Sequence, residues 1–433
     1  MADVRGNHRV LYVAWGFPPY TGAGMANPLA AVNTVARRGH DVTVLSADPA
    51  TYDLIQGSDW ALVDLIDPRV KVVRVRQPPG VRDPVINRWH DTRLLAPGIW
   101  EKIDAEQTTV IHPDPILNPW FPAWRPAASA AARALHDHAP FDLVIANILP
   151  AVAAGVALSV NLATGIPMVL VERDSWVFSP YTGQPYDDAA LSRPLLEEIM
   201  SRAVQVWYIN QPLAHLHRRE FPAWAHKIKE VRNAWDAEFI PEQITPPSRA
   251  GRDGLVFRFV GTMAPRGFPW QFVEEAWTLA REASPVVRAS VLEFVGPGSR
   301  LAESRSEIGM RAADRVPKGG LAELYAQTDA LLFIKEGGGM VTSGKIYEYL
   351  ATGLPIVTSL VPDHDARAVL AGRPLWFDAK EHTPQGLAEA FVRAAAQAPV
   401  PQETAGAHRH AAAYRRDNVM DAALAQLEEE LGW

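Results

Sequence analysis

The chain has 433 residues, 48% of them hydrophobic and 21% charged, which fits two large folded domains and argues against disorder. A formal net charge of −7 leaves no basic surplus to drive non-specific nucleic-acid binding. Cysteine is absent, so disulfides, thiolate nucleophiles and Cys-ligated metal centres are excluded, and a reducing, cytoplasmic setting is the expectation.

Met1–Arg9 is polar and carries no signal-peptide core. Arg9–Ala14 is a short apolar run suited to a buried parallel strand. The stretch from Gly16 to Gly24, with Pro18, Pro19 and Gly22, breaks both helix and strand. Met25–Arg38 has helical spacing, Gly39 suits its C-terminus, and Asp41–Ser46 is the next strand, completing a βαβ unit. From Gln77 to Arg125 prolines and tryptophans accumulate, marking either a surface excursion packed by its own aromatics or a lid over a substrate. Leu143–Val171 holds no charged residue and is long enough to cross a bilayer. Asn147, Pro150, Asn161, Gly165 and Pro167 interrupt it, so it reads as strand, buried helix, strand. Proline-rich Ile240–Gly254 reads as a linker, after which the grammar restarts. Leu255–Val260 is a strand, Gly261–Gly267 a loop, Phe272–Glu282 a helix and Ala289–Val295 a strand. The expected architecture is α/β: Rossmann-like domains at 1–239 and 255–410, joined by 240–254, with an amphipathic C-terminal helix in 411–433.

The most informative segment is Ala330–Ser359. A strand, Ala330–Ile334, runs into Gly337-Gly338-Gly339-Met340, and Thr342-Ser343-Gly344 then opens a helix carrying Lys345, Glu348 and Tyr349. Glycines expose backbone N–H groups, and a helix start adds unpaired donors and a positive dipole end, which together suit a phosphate. Lys345 reaches the same anion from the first turn. Glu348, three residues on, is placed to take two adjacent ribose hydroxyls. Gly339–Lys345 also satisfies most of a Walker-A pattern, but Ile346 stands where magnesium needs Ser or Thr. Asp363-His364-Asp365 looks like a metal-binding D-x-D and reads as a solvated loop.

In order and spacing, these pieces resemble the retaining GT-B glycosyltransferases, in particular the family 4 group. The branch motif S-x-K-x-x-E-Y-x-x-x-G-x-P appears as Ser343 through Lys345, Glu348, Tyr349 and Gly353 to Pro355. Phe17–Gly24 with Arg38–Leu45, Glu172–Trp176, Asn233–Asp236 and Gly261–Gly267 resemble further family signatures across nearly the whole chain. The resemblance implies two domains facing each other across a cleft, with the C-terminal helix crossing back to the first.

It also implies roles. Glu348 would hold the donor ribose. Arg266 and Lys345 would bind the donor diphosphate, with Thr262 beside them and the N–H groups around Thr342 and Ser343 completing the cradle. Gly338 and Gly339 would offer backbone contacts to the sugar. Gly22, Gly24 and Asn147 would face the acceptor side of the cleft, although Asn147 equally suits a helix cap. Arg173 and Asp174 stand where relatives carry a histidine; they would fix a phosphate or carboxylate-bearing acceptor, or form a structural ion pair. No catalytic metal or cofactor is implied, because cations and a helix N-terminus neutralise the leaving group.

Met340 departs from the family's E-x7-E motif, so the donor sugar is not legible. Residues 1–175 hold 15 Lys+Arg against 17 Asp+Glu, which favours a small soluble acceptor over an anionic-lipid dock. The expected activity is retaining, metal-independent glycosyl transfer from a nucleotide-sugar in a natural-product or cell-envelope pathway. The alternatives are a catalytically inactive sugar-nucleotide binder and a P-loop-type ATPase. No nucleic acid and no stable membrane insertion are expected.

Overall fold

Short apolar runs become strands wherever helices cover both faces of the sheet, and this chain uses them for two parallel sheets. The computed structural model describes residues 7–22, 25–52, 57–76, 124–148, 152–173, 175, 177–178, 183–185, 189–240, 244, 247–261, 263, 268–296, 299–334 and 342–433. They divide into two units, Met1–Arg232 with Val419–Trp433, and Asn233–Asn418; the proline-rich stretch 240–254 falls in the second.

The first unit holds β1 (Arg9–Ala14), β2 (Asp41–Ala47), β3 (Lys71–Val75), β4 (Leu143–Ile148), β5 (Met168–Glu172), β6 (Ala203–Tyr208) and β7 (Ile228–Glu230). Their order is β3-β2-β1-β4-β5-β6-β7, all parallel. The second unit holds β8 (Val256–Val260), β9 (Val291–Val295), β10 (Met310–Ala313), β11 (Ala330–Ile334), β12 (Ile356–Ser359) and β13 (Trp376–Asp378). Their order is β10-β9-β8-β11-β12-β13, again all parallel. In each sheet the winding reverses beside the first strand, between β1 and β4 and between β8 and β11. Ligands of such sheets bind outside the carboxyl ends of the strands at that reversal.

The uncharged stretch is β4, the helix Val152–Thr164 and β5, and every residue of the two strands is buried. Among the described residues no helix is long and apolar enough to cross a membrane. The segment 77–123, which contains the expected surface excursion or lid, lies outside the described residues.

One helix expectation is corrected. Ala411–Leu431 is not continuous: helices Pro401–Ala412 and Arg416–Leu431 meet at a break. Trp235 makes the break by taking groups that a continuous helix would use. Its N–H donates to the Tyr414 carbonyl (3.0 Å), its indole to the Ala411 carbonyl (2.8 Å), and its own carbonyl accepts from the Arg416 N–H (2.9 Å).

Beyond the break the last helix packs within the first unit. Both nitrogens of the Arg38 fork meet Glu428, at 2.5 and 2.6 Å, and His40 Nε2 lies 3.0 Å from the same carboxylate. Trp433 stacks on His8 at 3.9 Å. Burial raises the Glu428 pKa, but bonds to Arg38 and His40 outweigh it and the net shift is downward. The contribution is therefore present above the ordinary carboxylate pKa and is lost as pH falls through the lowered value. Glu428→Ala strands a mostly buried guanidinium and should cost about 3 kcal/mol. Urea denaturation at neutral pH checks this; a midpoint equal to wild type would show that the C-terminal helix is not held by this pair.

Candidate functional site

In the second unit the helix Gly344–Ala351 begins beside the reversal. Ser343 is its N-cap, with Oγ accepting the Lys345 N–H at 3.4 Å. The Tyr349 phenol pins this helix to the last residue of β8. It accepts the Val260 N–H at 2.8 Å and donates to the Val260 carbonyl at 3.3 Å. Lys345, one turn earlier on the same face, then lies across Gly261, the residue that follows β8. A Cβ built on Gly261 would stand 1.8 Å from Lys345 Nζ, and the backbone there has φ +152°, so only glycine fits without displacing the amine.

Burial lowers the pKa of half-buried Lys345, Glu348 raises it, and the exposed Arg315 beyond β10 lowers it further. An anion at this place relieves both unfavourable influences. Glu348 is half-buried one turn further, and its charge also raises the pKa of Tyr349, after the larger effect of burial.

Thr342 is buried and donates its hydroxyl to the Asp365 carboxylate. This corrects the solvated-loop reading of Asp363–Asp365: His364 and Asp365 are buried, and Asp365 holds the cradle from behind, while Asp363 is exposed. Among the described residues no group of three His, Asp or Glu side chains could hold a metal ion. Ile346 is fully buried in an apolar cluster, so it offers nothing to magnesium. Asn233 lies against the helix start, its Nδ2 3.2 Å from where a Cβ on Gly344 would be. Its Oδ1 accepts from Arg416 at 3.0 Å, and Arg416 also pairs with Asp236 at 2.6 Å. The second half of the Asn233–Asp236 signature is thus an anchor for the helix break.

In the first unit the loop after β1 wraps an aromatic cluster. A Cβ on Gly22 would stand 2.2 Å from the Tyr20 ring, and Tyr20 packs on Tyr52 at 4.9 Å between ring centres. Gly22 therefore makes room for a tyrosine of its own loop. Asn147 ends β4 beside Ala14 of β1, at the reversal itself. It is 2% exposed, and its Oδ1 has no hydrogen-bond partner among the described residues.

The loop after β5 is strapped by Ser175 and His217, a pair that the sequence pattern did not single out. Ser175 Oγ lies 3.0 Å from His217 Nε2 and accepts the N–H groups of Val177 (3.3 Å) and Phe178 (3.1 Å). His217 Nδ1 faces the Leu213 carbonyl at 2.8 Å, which assigns the proton to Nδ1 and leaves Nε2 to accept from Ser175. Glu172 is fully buried, flanked by Tyr208 and by His217 at 3.9 Å. Burial brings the His217 pKa down to about 4. Arg173, half-buried, is close enough for its charge to oppose the burial-driven rise of the Tyr12 phenol pKa.

The structure thus brings Thr342, Ser343, Lys345 and Glu348 to one helix start, and Asn147 and Arg173 to the carboxyl edge of the other sheet. Gly24, Asp174, Thr262, Arg266, Gly338 and Gly339 lie outside the described residues. Gly261, Tyr349 and Asp365 are the supporting residues that motif reading passed over. Gly261 opened a quoted loop and Tyr349 belonged to a quoted motif, but neither carried a role.

No protein-family model and no curated protein sequence matches the chain. Solved structures do. Sucrose-phosphate synthase from Thermosynechococcus elongatus is 14% identical, with TM-score 0.58 over 98% of this chain and 99% of its own. Anabaena HepE, solved in complex with UDP-glucose, is 13% identical, with TM-score 0.58 over 98% and 100%. A putative UDP-N-acetylglucosamine 2-epimerase from Listeria monocytogenes is 10% identical, with TM-score 0.53 over 99% and 97%. At these identities the likeness is one of fold: two parallel-sheet α/β domains of the GT-B type found in glycosyltransferases.

Gly261→Ala should leave the fold intact, because a flexible side-chain end can move aside, while shifting the Lys345 amine. Nucleoside diphosphate affinity should fall tenfold or more by calorimetry, and an unchanged affinity would place the anion elsewhere. For His217, the unfolded state binds a proton below pH 6.5 that the folded state refuses until about pH 4. Stability should therefore fall by about 3 kcal/mol as pH drops through that window. His217→Gln should flatten this part of the urea-midpoint profile, and parallel profiles for the two proteins would refute the assignment.

Proposed function

We propose that this chain is a glycosyltransferase: the second unit binds a nucleotide-sugar and the first binds the acceptor that receives the sugar. The observation that carries the reading is the Lys345 ammonium held over Gly261 beside the N-terminus of the Gly344–Ala351 helix. That arrangement collects fixed positive charge where a diphosphate leaving group would form. Glu348, one turn along, is at the distance of the ribose hydroxyls from the phosphates. The sequence resemblance and the GT-B fold support the same reading from independent directions.

The proposed chemistry is transfer with retention of configuration and without a catalytic metal. The sugar–phosphate bond breaks as the acceptor attacks from the face that the diphosphate leaves. A leaving phosphate oxygen takes the acceptor proton, and Lys345, Arg266 and the helix start hold the charge that develops. The acceptor is a small polar molecule, in keeping with the balanced charge of residues 1–175.

The test is calorimetric titration with UDP, GDP, ADP and dTDP in the absence of metal, on wild type, Lys345→Ala and Glu348→Ala. One nucleotide should bind, and each variant should lose at least tenfold, about 1.4 kcal/mol. The matching nucleotide-sugar should then be consumed only when an acceptor is present. Binding without consumption over an acceptor panel would make the chain a non-catalytic binder, and release of the epimeric sugar without acceptor would make it an epimerase. Failure of all four nucleotides would refute the donor site.

A further inference from the structure

The parallel register puts Asn147 level with Ala14 of β1 and Val171 of β5. Level residues in a parallel sheet point to the same face, and alternate residues share a face. Tyr12, Ala14, Asn147 and Val171 therefore line one face at the carboxyl edge, and Arg173 continues that series two residues beyond Val171. Glu172 points to the other face, among Tyr208 and His217. The reach of the Arg173 charge to the Tyr12 phenol places the guanidinium back over this edge, toward the reversal between β1 and β4.

Asn147 is the unusual member. Its amide oxygen is buried and lacks a donor among the described residues. Such an oxygen costs on the order of 1–3 kcal/mol unless a ligand supplies the missing hydrogen bond. A guanidinium adds a planar donor fork matched to phosphate or carboxylate, and it has no capacity to act as a base. A hydroxyl donor for Asn147 and an anion for Arg173 are complementary demands on one molecule.

We propose that this edge of the first unit binds an acceptor carrying an anionic group, phosphate or carboxylate, near a hydroxyl, with the anion on Arg173 and the hydroxyl donating to Asn147 Oδ1. The proposal deepens the transfer reading and rests on it for the word acceptor, but the binding site stands or falls separately.

The full-length chain is titrated with glycerol 3-phosphate, glucose 6-phosphate and glycerate, with neutral glycerol and glucose as controls. Co-sedimentation with phosphatidylglycerol vesicles forms the lipid arm. At least one anion should bind tenfold or more tighter than its neutral counterpart, and should still do so in Lys345→Ala, which separates this site from the donor site. Arg173→Gln should lose that binding and Arg173→Lys should recover part of it. Asn147→Asp, nearly isosteric but anionic, should lose it with an unchanged circular dichroism spectrum and melting midpoint. Binding confined to vesicles and lost in Arg173→Gln supports the same anion chemistry with a lipid as its source. Equal binding of the neutral controls, silence of the Arg173 variants, or no binding in either arm overturns the proposal. UDP titrated on the same proteins separates the two readings: retained UDP affinity with no anion binding refutes this site alone.

Discussion

Everything in the second unit's site depends on the two bonds between the Tyr349 phenol and the backbone of Val260. A phenol that both accepts and donates within 3.3 Å leaves the helix no freedom to slide along β8. The helix start is then fixed relative to the end of the strand, and Lys345 has one place to lie. Removing the phenol would strand the buried Val260 N–H, so the contact resists replacement by a purely apolar one. The spacing of the motif follows from this. Lys345 and Tyr349 are four residues apart and face β8 together, and Glu348 stands beside them at the angle set by one residue. Asp365 completes the arrangement by holding Thr342, just ahead of the N-cap.

The first unit meets a different demand with different chemistry. The loop after β1 is stabilised from within, by Tyr20 against its own glycines and by Arg74, which donates to the carbonyls of Phe17 and Pro18. Arg74 also reaches the Tyr52 hydroxyl at 3.3 Å, and its pKa is lowered mainly by burial. This cation is occupied in shaping a loop. Arg173, on a loop strapped by Ser175 and His217, is carried by a support that leaves its position independent of the β1 loop.

Strands were the most legible part of the sequence, because a strand buried on both faces must be an uninterrupted apolar run. β1, β11 and β12 begin and end where the composition changes, and the uncharged stretch resolves into strand, helix and strand at its polar interruptions. What stayed hidden was set by partners far along the chain. The break at Ala413–Arg415 depends on Trp235, whose indole bond to Ala411 spans 176 residues. Asp365 looked solvated because its partner Thr342 lies 23 residues earlier. The donor-site residues Thr342 to Glu348 were legible as a group because one helix start holds them all. The supports Gly261 and Tyr349 acquire meaning only from their contacts with Lys345 and Val260.

The fold likeness includes two transferase-type relatives and an epimerase, and the diphosphate cradle is a requirement common to both chemistries. An epimerase works on one substrate and has no use for a second polar site. A transferase must orient an acceptor hydroxyl, and orientation requires a fixed hydrogen-bond acceptor removed from competing water. Asn147 has those properties: a rigid position at the end of β4, burial, and an amide oxygen without a donor among the described residues. A helix cap, the other reading of this residue, would have given that oxygen a backbone N–H. The uncapped oxygen at the reversal of the first sheet is therefore the feature that weights the chain toward transfer, independently of anything in the second unit.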